Sequence, residues 1–313
     1  RKKSKPSTAK CNEEIYSSYL MSEPNNASCL RLSEIIPEIS HDSINRFLNR
    51  ERFNGHDLFI EHMNELDLCG GVLSIDDSVL DKLYSNPEHA KLIGYYWSGK
   101  HHKPVKGINL ISLFYTDVNG KCLPVNYRIY DKAVAKTKND YFKEMLSEVI
   151  SLGLKPRIVT GDAWYSGLMN LKHVRKSELD FLFGIEKDRL ISLEKGTYIK
   201  VEDMPEFPDE GKNVYLKEYG NVRVFRQLFK EAYRYYIIGV ANLSDIDQIN
   251  RSDFKRFHDM HWQIECFHRA IKQVCNIEKF QVRKSHAIRT HVYCALRAFC
   301  KLEIMKTKQI INN

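Results

Sequence analysis

Three stretches of the sequence carry carboxylates that a fold could gather: SIDDS with Asp76 and Asp77, IVTGD ending in Asp162, and FHDMHWQIECFHRAIKQV with Glu265. The first two read as ends of apolar strands, and strand ends at the edge of an α/β sheet are where such folds place reactive groups. In the third, Phe257, Met260, Ile264, Phe267, Ile271 and Val274 recur at intervals of three and four, forming one buried stripe of a helix. His258, His261, Glu265, His268 and Lys272 follow the same spacing one position later, about 100° around the helix, so this polar stripe borders the buried one. Glu265 is thereby expected to face carboxylates of the sheet. Gathered acids repel one another and need cations. Hard oxygen donors suit magnesium or manganese, and two such ions can support an in-line phosphoryl displacement. Each Asp also fits a cap or a turn, and Glu265 a solvated helix acid. The histidines fit semi-buried core positions or an incomplete zinc set.

Successive strand residues face opposite sides, so Asp76 and Asp77 cannot both enter one site while the strand persists. The elements that must present these acids fall into blocks. Residues 1–10 form a basic arm. In residues 11–66, SCLRLSEII and HDSINRFLNRE read as helices joined by PEIS, with Ser40 as N-cap, a helix-turn-helix outline that would present His41, Ser43 and Asn45 to DNA. Packing of two helices for stability alone fits the same pattern. Residues 67–186 alternate apolar runs with helical stretches: GVLSIDD, GINLISLFYTD and LPVNYRIYD, then KNDYFKEMLSEVISLGL with a stop at Gly153, then RIVTGD and DFLFGIE. Three antiparallel strands followed by parallel ones across helical crossovers give the outline of an RNase H-like core of α/β class. Residues 187–245 run strand after strand, with turns such as EYGN, and read as an inserted antiparallel β subdomain; residues 246–313 return the chain to the core as helices.

Charge sits at the ends. The net formal charge of +8 divides into +5 over residues 1–10, +8 over residues 251–313 and −5 over the rest, which fits a polyanion touched by both ends. Solvated helix faces account for the C-terminal charge equally simply. YYWSGKHHKPVKG, between the first two long strands, interleaves Lys100, Lys103 and Lys106 with Trp97 and reads as a second DNA contact. No run approaches the roughly 20 apolar residues of a membrane span. RKKSKPSTAK lacks the apolar stretch of a secretory signal, and a cytoplasmic protein is the expectation. The eight cysteines include no C-x-x-C pair and read as reduced thiols.

With these features the sequence resembles the DDE transposases of bacterial insertion sequences, in the group whose RNase H-like core is interrupted by a β-rich insertion before the catalytic glutamate. In that family the first Asp follows a hydrophobic strand and precedes Thr or Ser, which favours Asp77, before Ser78, over Asp76. The second Asp ends the fourth strand, as Asp162 does. The glutamate lies in a signature Y-x2-R-x3-E-x6-K, matched here by Glu265 and Lys272, while His258 and His261 stand where the family has Tyr and Arg. The resemblance covers about residues 28 to 300 and implies a catalytic and metal-binding set of Asp77, Asp162 and Glu265 with two magnesium or manganese ions. It further implies a DNA contact from Lys272, excision at terminal inverted repeats, joining of 3′ ends to target DNA, and a homodimer on DNA; His258, His261 and Arg269 on the same helix are further expected DNA contacts. A metal-dependent structure-specific nuclease and a transposase-derived regulator without catalysis are the competing readings.

Overall fold

The computed structural model of the chain describes residues 10–309 apart from 24, 26 and 195; the basic arm, save Lys10, lies outside the described residues. Four short helices come first, α1 (Glu13–Ser22), α2 (Cys29–Ile35), α3 (His41–Arg50) and α4 (Gly55–His62). Strands β1 (Val72–Asp81), β2 (Gly94–Ser98), β3 (Lys103–Thr116) and β4 (Cys122–Ile129) follow, then α5 (Lys138–Ser151), β5 (Ile158–Gly161), α6 (Leu168–Lys176) and β6 (Asp180–Ile185). Five further strands, β7 (Leu190–Ser192), β8 (Tyr198–Lys200), β9 (Lys212–Leu216), β10 (Gly220–Phe229) and β11 (Ala232–Gly239), lead to two long helices, α7 (Arg251–Gln273) and α8 (Ser285–Thr307).

The local chemistry of these elements is plain in the sequence. Ser40 starts α3 by accepting the Ser43 backbone N–H, as expected. Thr137 with Asp140, and Asn250 with Asp253, form reciprocal capping boxes that fix the starts of α5 and α7. Gly153 follows α5 with φ +98°, a conformation costly for any residue with a Cβ. The hairpin between β3 and β4 turns at Gly120, also at positive φ.

All eleven strands belong to one sheet, ordered β2-β3-β1-β5-β6-β11-β10-β9-β7-β8, with β4 also paired to β3. β1, β3 and β4 are antiparallel neighbours, while β5 runs parallel to both β1 and β6. This is the expected RNase H-like arrangement, with β2 as an additional edge strand paired to β3. The strands of residues 187–245 are antiparallel as expected. They extend the core sheet through β11 beside β6 instead of forming a sheet apart.

The sheet is covered on both faces. Leu73, Ile75, Val159, Phe181 and Phe183 pack with Phe142, Met145 and Leu146 of α5 and with Leu171 and Val174 of α6. Val72, Ile158, Leu182 and Ile238, on the opposite face, pack with Phe254 and Phe257 of α7. Farther along α7, Ile264, Phe267 and Ile271 join α8 in a cluster that also takes in Tyr16, Leu20, Ile44, Phe47 and Leu48. The N-terminal helices therefore share their core with α7 and α8, and residues 11–66 do not close a core of their own. Each fully buried Leu, Ile or Phe contributes about 1.5–3 kcal/mol, so this shared packing holds α7 firmly across the sheet.

Candidate metal centre

β1 does not stop at the acids. It continues to Asp81, with Asp76 opposite Ser112 and Asp77 opposite Ile111 on β3, so the two carboxylates point to opposite faces. Asp77 shares its face with Leu73 and Ile75, toward α5. There Lys138 Nζ lies 2.7 Å from its Oδ2, Asn109 Nδ2 donates to the same oxygen at 2.5 Å, and the Tyr165 hydroxyl donates to Oδ1 at 3.2 Å. Asp76 shares its face with Val72 and Ser74, toward α7. Ser74 Oγ is 2.8 Å from Thr160 Oγ1, which in turn is 3.0 Å from Nδ1 of His261 on α7.

Parity on β5 gives the same answer. Thr160 faces α7, and Asp162, two residues on, follows the same side of the sheet just past its edge. Gly161 between them sits so close to Phe183 and Ile75 that a Cβ there would come within 2.6 Å and 2.8 Å of their side chains. That contact seats the strand end against β1 and β6. Asp162 then caps a short 3-10 turn by accepting the Trp164 N–H at 3.0 Å.

On α7, Glu265 and His268 are three residues apart and so share a helix face. Ligand-type atoms of Asp76, Glu265 and His268 all lie within 4.8 Å of one another, the one such trio of Asp, Glu, His or Cys among the described residues. His268 Nδ1 is 3.4 Å from Asp76 Oδ2. Electrostatics follow from the crowding. Burial opposes ionisation of Asp76, but the hydrogen bond and charge of His268, then His261, then the Asp77 N–H, hold its carboxyl below the ordinary range. Desolvation, followed by the charge of Asp76, raises the Glu265 carboxyl. Asp162 is open to solvent along one edge; desolvation on its protein side, then the charges of Asp76 and Asp77, push it up to about 7. Two carboxyls raised by burial and then by the charge of Asp76 are short of positive charge, and the oxygen donors of this group fit a divalent cation of the magnesium or manganese kind.

The structure thus brings Asp76 to Glu265, sets Asp162 under the charge of Asp76 and, less strongly, of Asp77, and turns the Asp77 side chain to the opposite face. The resemblance points to Asp77, which precedes Ser78; strand alternation instead places Asp76 beside Glu265 and His268. The signal for Asp76 was present as two polar alternations, Ser74 with Asp76 and Thr160 with Asp162, set against apolar Leu73 and Ile75 on the other parity.

Several expected DNA contacts are engaged within the protein. Lys272 Nζ donates to the Val79 carbonyl at 2.8 Å and lies 3.7 Å from Glu278. His258 Nε2 is 3.2 Å from the Tyr236 hydroxyl, and its ring packs against Tyr236 and Phe254. Burial lowers His261 to about 4, so it is neutral near pH 7 and offers no cation to phosphate. Ser43 is buried, with its Oγ accepting the Lys10 backbone N–H at 2.9 Å. His41, Asn45, Arg269, Lys100 and Lys103 are exposed, and Lys106 is half-buried. Trp97 is 66% exposed, which rules out a core position for it. With Tyr95 it forms an open aromatic face on β2, and Lys106 pairs with Tyr95 across the strands.

Residues 71–300 match the protein family described as transposase DDE domain. No curated protein sequence matches the chain. Among solved structures, piggyBac transposase in a synaptic complex with hairpin DNA is similar with a TM-score of 0.54 at 14% identity, covering 99% of this chain and 70% of that one. The Drosophila P element transposase strand transfer complex gives 0.30 at 10% identity, over 62% of this chain and 48% of that one. The first likeness shows a shared fold. Among the described residues no helix is long and apolar enough to cross a membrane.

Proposed function

The chain belongs to the transposase DDE domain family, and from that premise we propose that it is the DNA transposase of an insertion sequence, cutting at the element ends and joining the freed 3′ ends to target DNA. The observation that carries this reading is the convergence of Asp76 from β1 and Glu265 from α7, with Asp162 on the same side of the sheet. These three acids would hold magnesium or manganese, two ions in the full site. Bound there, such ions activate a water or a 3′-hydroxyl and stabilise the leaving oxygen of an in-line displacement. Asp77, tied to Lys138, Asn109 and Tyr165, instead locks the strand that carries Asp76.

DNA would approach along the exposed flank of α7, where Arg269 lies one turn beyond Glu265, and over the β2–β3 hairpin with Lys100, Lys103, Lys106 and Trp97. The exposed side of α3, with His41 and Asn45, would meet the element ends. Because the Lys10 backbone is hydrogen-bonded to Ser43 of α3, the basic arm joins the fold beside that helix. Joining two ends requires synapsis, and a homodimer on DNA in the nucleoid of the bacterial cytoplasm meets that need.

The test is strand cleavage and joining on DNA bearing the inverted repeats, with magnesium or manganese, alongside gel-shift binding. Wild-type protein that binds the ends specifically and never cuts them is a regulator; cutting that depends on DNA structure and ignores the repeats makes it a nuclease.

A further inference from the structure

His268 is left unused by that reading. It is 5% exposed and projects from the same face of α7 as Glu265. Its Nδ1 faces Asp76, and Nε2, on the other side of the ring, is buried with no hydrogen-bond partner among the described residues. Buried polar atoms are nearly always paired, and a histidine present only to balance Asp76 would have its far nitrogen met by a carbonyl or hydroxyl. His291 shows what that looks like in this protein: its Nδ1 meets the Tyr16 hydroxyl at 3.0 Å and its Nε2 the Asn276 carbonyl at 3.1 Å. The far nitrogen of His268 is thus unmet among the described residues, while the ring offers one ligand atom within 4.8 Å of oxygens of Asp76 and Glu265.

A glutamate and a histidine three residues apart on one helix, facing carboxylates of a neighbouring element, form a ligand pattern used in protein-bound transition-metal pairs. We propose that His268 is a direct ligand, making with Asp76 and Glu265 a mixed nitrogen–oxygen site that favours manganese or another first-row transition ion over magnesium. The inference rests on the reading that these acids hold a divalent ion. Magnesium keeps to oxygen donors and water, whereas imidazole nitrogen suits transition metals, so the choice of ion follows from the third donor.

The experiment uses the full chain without DNA, loaded with manganese alone and examined by electron spin-echo modulation. Wild-type protein should show coupling to a ¹⁴N nucleus, replaced by ¹⁵N coupling when histidine is isotopically labelled, and lost in His268→Gln. Titration should give manganese binding at least about tenfold tighter than magnesium, with His268→Gln removing most of that difference. Bound manganese without nitrogen coupling in the wild type overturns the proposal, whatever the variant's folding. So does coupling that survives His268→Gln and disappears in His261→Gln. Strand cleavage is scored separately: a nitrogen-coupled manganese site in a protein that never cuts DNA overturns the transposase reading alone, and cleavage without such coupling overturns this inference alone.

Discussion

The two faces of β1 treat neighbouring charges in different ways. On the α5 face, Asp77 receives a lysine, an amide and a phenol, so its charge is answered within the protein. On the α7 face, Asp76 has the Asp77 N–H and one histidine while facing Glu265 and Asp162, both of whose carboxyls are raised above their ordinary values. A compensated carboxylate holds structure together; a set of carboxylates left short of positive charge is a place for a cation. One step along the strand separates these two outcomes, and neither residue type nor local composition distinguishes them.

The largest effect should come from exchanging the two acids for amides. Asp76→Asn should lower strand cleavage at least about 10³-fold, the scale of losing a group that acts in the transition state, and leave the denaturation midpoint nearly unchanged. Asp77→Asn should keep cleavage within about tenfold of wild type and lose about 1–3 kcal/mol of stability, because Lys138 loses its charged partner. Urea unfolding beside a cleavage assay reads both. The reverse pattern would move the chemistry to the α5 face and sink the distinction drawn here.

A second measurement sharpens it. In metal-free protein the Asp162 carboxyl, followed by carbon NMR, should titrate near 7, and removing the Asp76 charge in Asp76→Asn should lower that value more than Asp77→Asn does, since Asp76 is the stronger of the two charge effects. Desolvation is the first cause and survives both changes, so the value should stay above the ordinary 3.8 in each. Equal shifts in the two variants would mean that Asp162 does not distinguish the faces.

How much of this was legible in the sequence depends on which physical rule decides each part. The α7 stripes were, because a period of three and four over 18 residues admits one helix face: Phe257, Ile264, Phe267 and Ile271 are buried as read, and Val274 is exposed because the helix has ended by then. The strand order was too, through the crossover helices and the Gly120 turn. Which of Asp76 and Asp77 shares a face with Glu265 was not, because it depends on where β1 ends, and pairing with β3 carries the strand four residues past Asp77. Whether Lys272 or Ser43 is free to meet DNA was hidden for a similar reason: their partners, the Val79 carbonyl and the Lys10 N–H, are distant in sequence.

The same contrast can be tested on the histidines through pH. Burial lowers His291 to about 3, and both its nitrogens are met within the protein while it is neutral. The unfolded chain, titrating near 6.5, binds the proton more tightly than the folded one. Its contribution is therefore fully present above about 6.5 and declines as the pH falls toward 3, by up to about 1.4 kcal/mol per unit. Urea midpoints measured from pH 7 to pH 5 should fall, and His291→Gln should flatten the decline while lowering stability throughout. A decline of unchanged steepness in that variant would show that other groups set the acid sensitivity.

The smallest effect is expected at Lys272, which shares the polar stripe of α7 with Glu265 yet resembles Asp77 in having its charge used inside the protein. Its ammonium binds the Val79 carbonyl near the end of β1 and lies beside Glu278, so it ties the helix that carries Glu265 to the strand that carries Asp76. A lysine on phosphate would release a counterion, and its removal would lower the slope of log affinity against log salt by about 0.9. Lys272→Met keeps the stem and removes the charge. It should leave that slope unchanged, lower stability by about 1 kcal/mol, and reduce cleavage only a few-fold through looser alignment of the two acids. A drop in the slope by about one, with stability unaltered, would show that the ammonium leaves Val79 when DNA arrives and would move Lys272 from the strand-to-helix tie to the DNA-contacting surface.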